Sequence, residues 1–149
     1  PRSWVVGCSR TADRGEALQA LGDPAFDPAR EVILPTGGSG SACGPAGESR
    51  VAVLHADRVE LAVEATAPGF VVLADAWDPG WRVAVDGRAQ PLLRANVAFR
   101  AVAVPAGRHV VVMRYRPPAV LEGLALSVVA SLLAAALLLR GRRPGSRRS

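Results

Sequence analysis

The chain contains no lysine: all 18 of its basic side chains are arginine, set against 13 acidic residues. An excess of base invites a nucleic-acid reading, which requires a basic face on the folded domain. Here Arg140, Arg142, Arg143, Arg147 and Arg148 crowd the end of the chain, and residues 1–118 hold 13 arginines against 12 carboxylates. The part able to fold is nearly neutral, so no nucleic-acid partner is expected. Histidine and cysteine are equally scarce, with two of each. His55 and His109 stand alone, without the nearby Cys or second His that a zinc site needs, so no metal is expected. The Gly-rich stretch at 37–47 precedes a strand pattern rather than a helix, so it is no phosphate-cradling loop and no cofactor is expected. No nucleophile-elbow glycine pattern accompanies a Ser/His/Asp set. Asp75 and Asp78 lack the apolar surroundings that raise a general acid. No catalytic residue is assigned within this chain.

An initiating methionine and a basic-apolar leader are also missing, since the chain opens at Pro1. Against these absences stands one long apolar run, Ala119–Leu139, whose single charge is Glu122. At about 1.5 Å per residue it measures roughly 32 Å, the hydrocarbon thickness of a bilayer, and predicts a transmembrane helix over 119–139. The arginine tail at 140–149 is the positive-inside signal and predicts a cytoplasmic C-terminus, with residues 1–118 extracytoplasmic. A domain outside the membrane without its own export signal is expected to be a fragment, delivered by upstream transmembrane helices. Gly123, Ser127, Ala130, Ser131 and Ala134 recur at helical spacing and offer those helices a packing face. Cys8 and Cys43 fall on the oxidising side, where a disulfide and two unpaired thiols are both compatible with the sequence.

Residues 1–49 read as an α/β lead-in. Trp4–Val6 is a short strand, Asp13 with Glu16 forms a capping box for a helix through Leu21, and Glu31–Leu34 is a strand. Thr36–Gly47 is a Gly/Ser-rich loop. Residues 50–118 are strand after strand. Val59, Leu61 and Val63 alternate with polar positions, as do Trp81, Val83 and Val85, and Val111, Met113 and Tyr115. Phe70–Leu73 is continuously apolar, the mark of a strand buried on both faces. Asp86-Gly87 is a type I′ hairpin signal, Val97–Val104 a further strand, and Pro105-Ala106-Gly107 the next turn. The fold class is mainly β: an antiparallel β-sandwich, immunoglobulin-like or jelly-roll, with a short N-terminal helix and one C-terminal transmembrane helix.

Trp77-Asp78-Pro79-Gly80-Trp81 is the most site-like string. Two tryptophans about a turn can stack on a sugar ring while Asp78 accepts hydroxyl hydrogen bonds; the plainer alternative is a structural corner with Trp81 in the core. Asn96 is either a further glycan contact or a cap at a strand entry. Arg100 and Arg114, read as outward on neighbouring strands, and Arg116 are candidates for a lipid phosphate near the bilayer; the alternative is solvated surface arginine. His109 reads as a surface residue beside a turn.

The stretch WDPGWRVAVDGRAQPLLRANVAFRAVAVPAGRHVVVMRYRPP, from Trp77, followed by an apolar segment, resembles the C-terminal end of the YfhO family of bacterial polytopic membrane proteins. PRSWVV, EALQAL and DPAFDPAREVIL resemble it further upstream. The resemblance implies a multi-pass protein of the bacterial cell membrane similar to GT-C glycosyltransferases, which move sugars from polyprenyl-phosphate donors. The catalytic carboxylate of that class sits in an early outer loop, so none carries over to this chain. Asp78 stands where the family usually has an aromatic residue, which leaves any contact made by that aromatic without a counterpart. The expected role is an extracytoplasmic accessory domain for a transferase acting on cell-envelope glycopolymers, with the lipid bilayer, the upstream helices and a glycan or lipid-linked sugar as partners. A non-catalytic glycan-binding module and a structural assembly domain are the alternatives.

Overall fold

The computed structural model describes residues 1–36 and 43–141. Half of the Gly/Ser-rich loop, at 37–42, and the arginine tail from 142 onward lie outside the described residues. Pro1–Arg116 form one compact unit, and the C-terminal segment is a second.

The first unit is an antiparallel sandwich with an extra layer. One sheet has the order β1 (Ser3–Val6), β6 (Gly69–Ala76), β10 (Phe99–Val104), β9 (Leu93–Ala95). The other runs β4 (Gly47–Leu54), β5 (Arg58–Ala65), β11 (Gly107–Tyr115), β7 (Trp81–Val85), β8 (Arg88–Gln90). Their facing residues make the main core: Val71, Leu73, Val102 and Val104 from one sheet meet Leu61, Val83, Val111 and Met113 from the other. Each alternation read from the sequence marks one of these inward faces, because successive strand residues point to opposite sides. Mainly antiparallel β-structure with a short N-terminal helix is therefore what the chain adopts.

The outer face of the β1-β6 sheet is covered too. β2 (Cys8–Thr11) and β3 (Glu31–Leu34) pair in parallel, joined by helix α1 (Arg14–Gly22). Val32 and Leu34 pack on Phe70, Val72 and Ala101, while Ile33 turns the other way onto Ala17 of α1. This explains the unbroken apolar run of β6, which needs apolar side chains on both faces. The capping box is present: Glu16 N–H donates to Asp13 Oδ1 at 2.9 Å and Asp13 N–H to Glu16 Oε2 at 3.1 Å. The type I′ turn is present as well, with Asp86 at φ 50° and Gly87 at φ 78° between the paired residues Val85 and Arg88.

The membrane span expected over 119–139 is corrected. The second unit carries a helix, α2 (Pro118–Gly141), but among the described residues no helix is long and apolar enough to cross a membrane. Two small polar residues of its supposed packing face bond back to their own helix, Ser127 to the Gly123 carbonyl at 2.9 Å and Ser131 to that of Ser127 at 2.8 Å.

Candidate functional site

The tryptophan string links the end of β6 to the start of β7. Asp78 Oδ1 accepts the Gly80 N–H at 2.7 Å, and the Trp81 N–H donates to the Asp78 carbonyl at 3.1 Å, which fixes the turn. Gly80 is required by space. A Cβ there would stand 2.7 Å from Tyr115 Cε2 and 2.9 Å from Asp78 Oδ1. Burial, followed by the charge and hydrogen bond of Asp78, pushes the Tyr115 phenol up. Asp78 is thus held by its own corner.

The two tryptophans divide. Trp81 is 8% exposed, joins Val83 and Val85 in the core, and packs on Tyr115 with ring centroids 5.3 Å apart. Trp77 is half-buried and borders an open groove of about 310 Å³ with Asp78, Pro79, Arg82, Gln90 and Leu92. Its N–H is tied to the Ala98 carbonyl at 2.7 Å, and Arg94 Cζ lies 5.6 Å from its ring centroid. Its indole Nε1 is buried without a partner among the described residues.

Asn96 is buried and bound within the fold. At φ 46° its Oδ1 accepts the Ile33 N–H at 2.8 Å, and its own N–H donates to the Ile33 carbonyl at 2.8 Å. It is a clamp between β3 and the β9–β10 connection, with no side-chain oxygen offered to a glycan. The strand expected from Val97 begins instead at Phe99, because Val97 sits at φ 68° in a three-residue turn closed by Ala98 N–H to Asn96 O at 2.8 Å.

The reading of Arg100 as an outward neighbour of Arg114 is corrected. β10 and β11 belong to different sheets, and Arg100 shares the inward face of Val102 and Val104. Its side chain is 6% exposed, with Cζ 3.8 Å above the Trp81 ring and Nε donating to the Ala76 carbonyl at 2.9 Å. Asp75 reaches Nη2 only at 3.6 Å, since its Oδ1 is already bonded by Arg2 at 2.8 Å. Desolvation lowers the guanidinium from its ordinary value, with Asp75 opposing. The stacking on Trp81, about 2 kcal/mol for a desolvated pair, makes Arg100 a brace across the open end of the sandwich. Arg114 and Arg116 stay exposed on the outer face of β11.

One feature escaped the sequence. His109 Nδ1 donates to Asp86 Oδ2 at 2.6 Å, at the mouth of a concave surface of about 520 Å³ that also borders Glu48, Arg50 and Arg108. Period-2 patterning places both residues at turns but says nothing of their meeting. Cys8 and Cys43 are joined in a disulfide with Cα atoms 4.8 Å apart. No cluster of metal-ligating side chains occurs among the described residues.

Residues 55–127 match the family model of the bacterial membrane protein YfhO. The match takes in the tryptophan corner, the Asp86 hairpin and the strands through β11; the upstream strings that resemble the family lie before it. No curated protein and no solved structure matches the chain.

Proposed function

We propose that this chain, a member of the YfhO family of bacterial membrane proteins through residues 55–127, supplies an extracytoplasmic β-sandwich to a membrane protein that transfers sugars from lipid-phosphate donors to cell-envelope glycopolymers. The observation that carries the placement is the Cys8–Cys43 disulfide, a bond that persists in oxidising compartments and is rare in the cytosol. In this reading the sandwich positions the acceptor and leaves catalysis to other parts of the protein. Trp77 is the contact, because of the two tryptophans that line the groove it is the half-buried one, whereas Trp81 is committed to the core.

Replacing Trp77 by alanine in the full-length protein is expected to lower sugar transfer in isolated membranes about tenfold, the loss of roughly one stacking interaction. The amount of protein in the membrane should be unchanged. Transfer at the original rate removes the groove from the mechanism.

A second reading, an assembly domain with no glycan contact, is favoured by the internal use of Asp78, Trp81 and Asn96. It predicts a fall in protein abundance with activity per molecule retained.

A further inference from the structure

The register of the five-stranded sheet places three arginines in one row. Arg114 on β11 is the direct partner of Arg58 on β5 and of Arg82 on β7. All three lie on the outer face, since Val59, Val83 and Met113 beside them point into the core. Arg116 follows two residues after Arg114 on the same face. Like charges directly opposite one another in a sheet are destabilising. Here the arrangement occurs twice in succession across about 10 Å of sheet, at the strand spacing of about 4.8 Å.

The compensation inside the chain is partial. Glu60 pairs with Arg58. Arg82 Nη1 is bonded only to the carbonyls of Pro79, at 2.6 Å, and Trp81, at 3.0 Å, which leaves its charge in place. Among the described residues Arg82, Arg114 and Arg116 form no ion pair. Together they border a shallow, open depression of about 350 Å³ whose floor is Ala84, Ala89 and Val112, with no acidic residue in its lining.

We propose that this arginine row is a docking surface for the anionic phospholipid headgroups of the bilayer. A flat sheet face presenting several cations and no enclosed pocket fits a planar array of phosphates better than one small ligand. Arginine binds phosphate oxygens bidentately, which suits it to this contact. The membrane surface is the anion at hand for a protein of a membrane family. The inference uses the family and not the sugar-transfer reading, and either can fail alone. Each uncompensated arginine is expected to favour an anionic surface roughly fivefold at low salt, less as salt screens it.

The test is the thermal midpoint of the full chain mixed with nanodiscs of phosphatidylcholine alone and with phosphatidylglycerol, for wild type, Arg114→Gln and Arg82→Gln. In the neutral lipid each substitution removes a like-charge contact and should raise the midpoint by roughly 2–4 °C. In the anionic lipid the sign should reverse, because headgroup binding stabilises only the native face. High salt should erase the reversal. A substitution effect identical in both lipids overturns the proposal. So does equal stabilisation of the wild type by inorganic phosphate without anionic lipid, which would assign the row to soluble phosphate.

Discussion

Asn96 bonds both backbone groups of Ile33 while holding a left-handed conformation that most residues resist. Two separate physical costs therefore attend its loss. Asn96→Ala strands a buried Ile33 N–H, about 1–3 kcal/mol, and places a Cβ-bearing residue without a polar tip at positive φ, about 1 kcal/mol more. Urea unfolding is expected to show a loss of about 2–4 kcal/mol for Asn96→Ala and about 1 kcal/mol less for Asn96→Gly, which keeps the backbone geometry. Equal losses would mean that the conformation at 96 costs nothing. Its neighbour Val97, a β-branched residue at φ 68°, is held by the same clamp. At this scale the sequence is ambiguous. Trp77 and Trp81 are the same residue type four positions apart, yet Trp81 is core and Trp77 only half-buried, because strand parity begins only at Trp81. Arg100 and Arg114 likewise look alike in the sequence, and their environments differ because their strands join different sheets.

Elements were more legible than their partners. Alternation at Val59–Val63, Trp81–Val85 and Val111–Met113 marks an inward face, but a period of two carries no information on which strand lies alongside. Pro105-Ala106-Gly107 looks like a hairpin turn, whereas it carries the chain from β10 in one sheet to β11 in the other. The Asp86-Gly87 turn was readable because its geometry demands those residues. Its bond to His109 was not, and it gives the hairpin a pH dependence. The Asp86 hydrogen bond first, then the carbonyls of Ala106 and Pro105 and the Asp86 charge, raise His109 above its ordinary 6.5, while burial opposes. Asp86 is lowered below its ordinary 3.8, by the His109 bond first and the Val110 N–H second. The His109 contribution is complete below 6.5 and is lost as pH rises through its raised folded-state value; that of Asp86 is present above 3.8 and is lost as pH falls through its lowered one. The hairpin should therefore be firmest between these limits. Asp86→Asn keeps a residue suited to positive φ and should flatten the decline above pH 6.5 in a thermal-midpoint series. A slope that survives the substitution would assign the titration elsewhere.

Over the whole molecule, the sandwich followed from hydrophobic patterning, whereas the membrane reading of 119–139 rested on the apolar run and the arginine tail, and among the described residues no helix is long and apolar enough to cross a membrane. In the covering layer α1 and β3 were legible, from the capping box and the apolar run of Glu31–Leu34, and β2 was not, since Cys8–Thr11 carries too few positions and too polar a composition to show a period. That layer depends on the Cys8–Cys43 bond. The bond closes a separation of 35 residues around α1 and β3, and the same junction is reinforced by Gly7 N–H to Gly44 O at 2.9 Å and Gly44 N–H to Arg30 O at 2.8 Å. Constraining a loop of this length in the unfolded chain stabilises by about 3–4 kcal/mol in the chain-entropy account. Reduction, or Cys8→Ser with Cys43→Ser, is expected to lower the unfolding free energy by about that amount. The loss should not be uniform. β3 contributes only Val32 and Leu34 to the outer face of β6, whereas β5 and β11 pair along eight positions. Hydrogen exchange after reduction should quicken in α1 and β3 before β5 and β11. Equal acceleration in both would make the layer and the sandwich one cooperative unit. If the layer loosens first, reduction of the disulfide would leave Phe70, Val72 and Ala101 partly uncovered, and the intact fold would depend on the bond.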